Sequence, residues 1–246
     1  MEDGLHVIIR LELINFLKFA IPVTIIELLA ALAGTYYLRK TAAIKSSKLL
    51  VLFLWLIVFV ELIGAYPAIA YFTEYKYLSV KGTFFEENYW LYNPFIILSF
   101  TFYIYYFRSY VKNKLWRNTL NYLIYSYVVF SIINLMVSDI YLKGFSKFST
   151  IVGSLLVFLT IVVFYFEILK SEVLLNLKRF LPLYISIGIL IFNLCITPLD
   201  IFSEYFESEN HFYVRFKANI YLFANIFLYS TYIIGFVICS RKKKSY

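Results

Sequence analysis

Seven times along this chain an apolar run recurs at about the length, roughly 20 residues, that a helix rising 1.5 Å per residue needs to cross about 30 Å of hydrocarbon. The runs cover residues 16–38, 49–72, 89–107, 120–142, 150–169, 181–201 and 218–239. Backbone polar groups have no water to bond in lipid, so segments of this length must satisfy them internally as helices. The pattern predicts an all-α polytopic transmembrane bundle, seven spans in a single transmembrane domain over 1–246. Composition agrees: 62% of residues are hydrophobic and 15% are charged, where a soluble domain carries about 25% charged residues. The polar connections are too short to fold into a soluble catalytic or nucleic-acid-binding domain. The lipid bilayer is therefore the expected partner of the chain's surface, and no nucleic acid is.

Orientation follows from where the basic residues fall. Fifteen of the 23 Lys and Arg lie in the four connections on one side, from Arg39, Lys40, Lys45 and Lys48 to the Arg241–Lys244 run, and eight lie on the other. The richer side is expected in the cytoplasm, which puts the N-terminus out and the C-terminus in. Eleven of the fifteen acids fall on the poorer side, so an acidic outer face and a basic inner face result. Glu2 and Asp3 open the chain with no basic region ahead of the first apolar run, which is not the pattern of a cleaved signal peptide. The basic tail reads as an anchor on anionic lipid.

Two acids stand near mid-membrane, Glu27 in the first run and Glu61 in the second. A carboxylate there costs on the order of 3 kcal/mol. Each opens the same stripe of small residues: Glu27, Ala30, Ala31, Gly34 and Glu61, Gly64, Ala65, Ala68. That spacing keeps all four side chains on one helix face, and small residues let helix backbones approach closely. The stripes are expected to meet, bringing the carboxyls together so that a proton is shared or held. Two readings of the pair follow. The acids either hold the bundle together through Tyr, Ser and Asn partners, or bind a proton, a cation or a polar group of a solute. Asn134, Asn193 and Asn225 are candidates for the same polar centre. Asp139 and Asp200 fall at outer helix ends and read as interfacial charges. Glu167 reads as a surface ion pair with Lys170.

A weak internal repeat is also visible. Residues 48–67 and 179–198 align without a gap, each running from a basic residue to a proline, and YFTEY at 71–75 corresponds to IFSEY at 201–205. An outer loop and an Asn-led span follow in both. This suggests a 3+1+3 arrangement about an axis along the membrane normal. The layout resembles that of the SWEET and PQ-loop transporters in topology alone, since the chain contains no Gln and cannot carry their Pro-Gln motif.

Several membrane chemistries are excluded. An opsin needs a lysine inside the seventh span, and Lys217 lies only at its outer edge. His6 and His211 are both in outer segments, so neither a three-His metal site nor an intramembrane Ser–His dyad can be built. The Gly-x-Gly-Asp of aspartyl intramembrane proteases is absent. Cys195 and Cys239 sit at different depths and suggest neither disulfide nor metal ligation. No cofactor or metal is expected, nor an enzymatic activity.

The blocks IELLAALAGTYYLRK (26–40), FVELIGAYPAIAYF (59–72) and YFEIL (165–169) resemble those of a group of bacterial seven-span membrane proteins. That resemblance implies the topology and carries no activity. The bias toward Phe, Tyr, Ile and Lys fits an AT-rich bacterial genome, and hence the cytoplasmic (inner) membrane. Two functions are consistent with the sequence: binding or transport of a small solute or cation at a midplane site beside the carboxyl pair, or a membrane-embedded sensor or accessory subunit signalling to a separate cytoplasmic partner.

Overall fold

The chain's apolar runs are helical throughout the computed structural model, which describes residues 2–75, 78, 80–202 and 211–241, with side chains from Glu12 onward, His211 excepted. Among the described residues there are nine α-helices: α1 (Glu2–Lys40), α2 (Lys45–Gly64), α3 (Tyr66–Phe72), α4 (Tyr89–Arg108), α5 (Lys114–Val137), α6 (Ile140–Lys143), α7 (Lys147–Leu169), α8 (Leu181–Phe202) and α9 (His211–Ser240). A short 3-10 segment, Glu172–Arg179, joins α7 to α8. The basic tail at 242–246 and the outer segment 203–210, which holds part of the repeat, lie outside the described residues.

Six stretches are long and apolar enough to cross a membrane: Glu12–Lys40, Lys45–Phe72, Lys114–Val137, Lys147–Leu169, Leu181–Phe202 and Phe212–Ser240. Their outward faces carry exposed Leu52, Phe59 and Leu62 on α2, Val129, Phe130 and Ile133 on α5, and Leu155, Phe158 and Phe166 on α7. In water such a surface would aggregate. Facing lipid, it is at home. The seventh expected span, 89–107, is the 20-residue helix α4. It differs from the six because Tyr89, Tyr92, Asn93, Ser99, Thr101 and three further tyrosines dilute its apolar residues. It packs on α7, α5 and α2, and Ile104, Tyr106 and Phe107 are buried in the main core.

Three other expectations shift. The second span is not one continuous helix, because α2 ends at Gly64 and α3 restarts at Tyr66. Pro67 supplies no N–H and its ring crowds the carbonyl four residues back, which breaks the helix there. The Gly64 carbonyl accepts from the Asn88 side-chain amide at 2.9 Å. The fourth span starts earlier, at Lys114, where the Asn113 side chain accepts from Leu115 N and Trp116 N, capping donors that a helix start leaves open. It also ends earlier, at Val137, where Asp139 turns into the left-handed region at φ 53°.

The small-residue stripes do not interlock. In an antiparallel pair a stripe running C-terminally from Glu27 and another from Glu61 diverge toward opposite faces. A Cβ on Gly34 would meet Val51 at 2.8 Å and Phe236 at 3.2 Å, so the α1 stripe is packed by α2 and α9 toward its C-terminal end. Gly64 instead receives the ring of Tyr92 from α4. Glu27 and Glu61 nevertheless line a common cavity.

Candidate functional site

Six helices contribute to a cavity of about 670 Å³, α7 through Lys147 and Thr150. Glu27 comes from α1, and Phe53, Ile57 and Glu61 come from successive turns of α2. Tyr92, Phe95, Ile96, Ser99, Phe100 and Tyr103 of α4 recur at the three- and four-residue spacing of a single helix face. Ile189, Phe192, Asn193 and Asp200 line it from α8, and Lys217, Tyr221, Asn225, Leu228 and Tyr229 from α9. Four of the five residues singled out in the sequence therefore share one cavity: Glu27, Glu61, Asn193 and Asn225. Asn134 does not join them. Its Oδ1 accepts from Ser146 Oγ at 3.0 Å and its backbone carbonyl from Ser138 Oγ, so it ties the α5 end to the start of α7.

The two carboxyls are held differently. Glu61 Oε2 accepts a 2.9 Å hydrogen bond from the Tyr92 hydroxyl, whose ring fits only because residue 64 has no Cβ. Glu27 is 3% exposed, and its Oε2 has no hydrogen-bond partner among the described residues. The Tyr229 hydroxyl faces the Glu27 carboxyl, and Glu61 is near enough for the two charges to interact. An unpaired buried carboxyl oxygen is costly.

The two asparagines show how the wall is presented. Asn193 Nδ2 donates to Ile189 O and Asn225 Nδ2 to Tyr221 O, both at 2.9 Å within their own helices. Each amide is thereby fixed while its Oδ1 keeps no partner among the described residues.

Basic groups enter where Lys147 and Lys217 line the cavity with Asp200. Asp200 Oδ1 accepts from the Tyr221 hydroxyl at 2.6 Å and lies 3.7 Å from Lys217 Nζ. Asp200 is thus part of the cavity wall and not merely an interfacial charge. Its helical spacing to Asn193, two turns on, was the signal available in the sequence. Asp139, by contrast, is a surface residue paired with Lys143 at 3.7 Å. Glu167 accepts from the backbone N–H of Lys112, closing the α4–α5 connection, where an ion pair with Lys170 was expected.

A second cleft, of about 1020 Å³, lies on the other side of Glu61. It is bounded by residues 15–24 of α1, by Gly64, Ala65 and Ala68, and by Val214, Arg215, Ala218 and Asn219 of α9, with Lys18 and Asn88 in its wall. Glu61 and Tyr92 line both spaces, so their hydrogen bond stands between them. Nothing in the sequence marked Tyr92 or Tyr229 among so many tyrosines. Only packing selects them. No family model matches this chain, and no curated protein and no solved structure is significantly similar to it, so its function has to be read from its own geometry.

Proposed function

We propose that the chain is a multi-pass protein of a bacterial inner membrane that binds a small solute or cation at the midplane beside Glu27 and Glu61 and carries it across. In this reading α4 is the seventh span, crossing with its polar residues turned to protein. The N-terminus lies outside and the C-terminus inside, as the distribution of Lys and Arg requires. The observation that carries the reading is the buried, partnerless Oε2 of Glu27 in the wall of a cavity that extends to Lys217 and Asp200 at the outer helix ends. Intramembrane ionisable groups that face a cavity mark solute and ion pathways, and transporters place such sites between packed helices at mid-depth. The packing of α1 against α9 and of α4 against α7 supports the 3+1+3 arrangement. Exchanging the two triplets, α1 with α7 and α4 with α9, turns one of these interfaces into the other. A binding and transport role accounts for the cavity without catalysis.

The test is reconstitution of the purified chain in proteoliposomes, with proton movement and solute uptake followed for wild type, Glu27→Gln and Glu61→Gln. Gln keeps the shape and hydrogen-bonding ability of a protonated carboxyl but cannot release a proton or hold a cation. At least one variant should insert at normal yield and lose flux. Full complementation of a deletion strain by both variants would refute the assignment and leave the acids as interhelical ties. Binding without flux would move the protein to the sensor class, with a separate cytoplasmic partner.

A further inference from the structure

We infer that the ligand of this cavity is a monovalent organic amine with an apolar, preferably aromatic, body, its ammonium seated between Glu27 and Glu61. The inference rests on the solute-site reading above and names the class of solute. Its first ground is the acceptor set. An ammonium brings three donors and no acceptor. The deep end of the cavity offers it Glu27 Oε2 without a partner, the Glu61 carboxyl with one oxygen already taken by Tyr92, and the partnerless Oδ1 atoms of Asn193 and Asn225. An anion placed beside the two acids is repelled by their charge.

The second ground is the wall around those acceptors. Phe53, Phe95, Tyr103 and Phe192 line the same space, with Phe53 set edge-on to Tyr103 at 5.5 Å between ring centroids. Aromatic faces attract a cation and shield it from water, while the same rings take an apolar body. The third ground is size. Inorganic cations are held by several oxygens at roughly 2.0–2.6 Å in a tight shell, whereas about 670 Å³ walled mostly by hydrocarbon is the scale of an organic ligand. Of the two lysines that line the same space, Lys217 lies 3.7 Å from the Asp200 carboxylate.

The experiment uses the full chain in detergent and a charge series on one skeleton: 2-phenylethylammonium, 2-phenylethanol and phenylacetate, with Na⁺ alone as the inorganic probe. Equilibrium dialysis gives affinity, and the thermal unfolding midpoint gives an independent readout. The amine should bind saturably and at least about 10-fold tighter than the alcohol, the size of one charge-assisted hydrogen bond. Glu27→Gln and Glu61→Gln should each weaken the amine by about 10- to 100-fold and leave the alcohol unchanged. Equal binding of alcohol and amine overturns the inference and leaves a site for neutral solutes. Saturable stabilisation by Na⁺ that needs Glu27, without amine binding, overturns it in favour of an inorganic cation. Tighter binding of phenylacetate, or no saturable amine binding, also overturns it. None of these results touches the solute-site reading, which falls only if both Gln variants keep wild-type flux and complementation. Should the Gln variants fail to accumulate, the charge series on wild type decides alone.

Discussion

Gly64→Ala is expected to break the Tyr92–Glu61 hydrogen bond without altering either partner. A Cβ at residue 64 would stand 2.7 Å from Cε2 and Cζ of the Tyr92 ring and closer still to its hydroxyl. Carbon contacts settle at roughly 3.5–4.0 Å, so the ring must retreat by about 1 Å. The hydroxyl now donates to Glu61 Oε2 at 2.9 Å. The same retreat carries it to about 3.9 Å, beyond hydrogen-bond range. Losing a hydrogen bond to a carboxyl costs about 1.5–3 kcal/mol in general, and interhelical bonds in membranes run lower, to a maximum near 1.7 kcal/mol. About 1–2 kcal/mol is therefore the expected value of this bond. Ala is favoured over Gly in a helix by up to about 1 kcal/mol, so the single variant can look almost neutral. A double-mutant cycle with Tyr92→Phe removes that masking, because the propensity gain appears in both backgrounds. Both substitutions delete the same bond, so the double variant should be more stable than additivity predicts by about 1–2 kcal/mol. Reversible unfolding in mixed detergent micelles, followed by circular dichroism, measures the four corners. Additivity within about 0.5 kcal/mol would refute the claim that Gly64 positions this bond.

Asn93 is fully buried and donates to Tyr141 O at 3.1 Å and Gly144 O at 2.9 Å while accepting from Ser146 N at 2.9 Å. Asn93→Ala should therefore cost about 2–4 kcal/mol, at about 1 kcal/mol per bond, and an unfolding midpoint equal to wild type would contradict this. Asn113→Ala removes the acceptor that caps α5 and should cost about 1 kcal/mol by the same measurement. A reporter fused after Tyr246 should score as cytoplasmic and one inserted at Glu86 as periplasmic; labelling of an engineered cysteine at residue 244 from outside intact cells would reverse the orientation. Cysteines at 27 and 61, with Cys195 and Cys239 replaced by Ser, should crosslink with a short bifunctional reagent, since both positions line one cavity. Labelling of either by lipid-phase probes in place of crosslinking would place that carboxyl on the outside of the bundle.

The sequence by itself determined that this chain is a bundle of apolar helices, because backbone hydrogen bonding in hydrocarbon allows no other structure for runs of this length. It also singled out Glu27 and Glu61, because a carboxyl amid apolar residues is conspicuous at any depth. Helix ends were less legible. The break after Gly64 could be tied to Pro67, but the early end of α5 depends on Asp139 adopting a left-handed conformation that composition does not dictate. Small stripes signal close packing without naming the partner, and here α1 uses its stripe against Val51 and Phe236 while α2 gives Gly64 to Tyr92.

Tertiary structure alone decided which polar groups share a space. Asn134 and Asn193 look alike in sequence, each an amide inside an apolar run, yet Asn134 is consumed by Ser146 at a helix end while Asn193 lines the cavity. Asp200 looked like an interfacial charge until α9 brought Tyr221 and Lys217 against it. The physical reason is that periodicity fixes the face of a helix on which a residue lies. The neighbour that face meets is set by helix rotation and crossing, and these arise from contacts between side chains far apart in the chain.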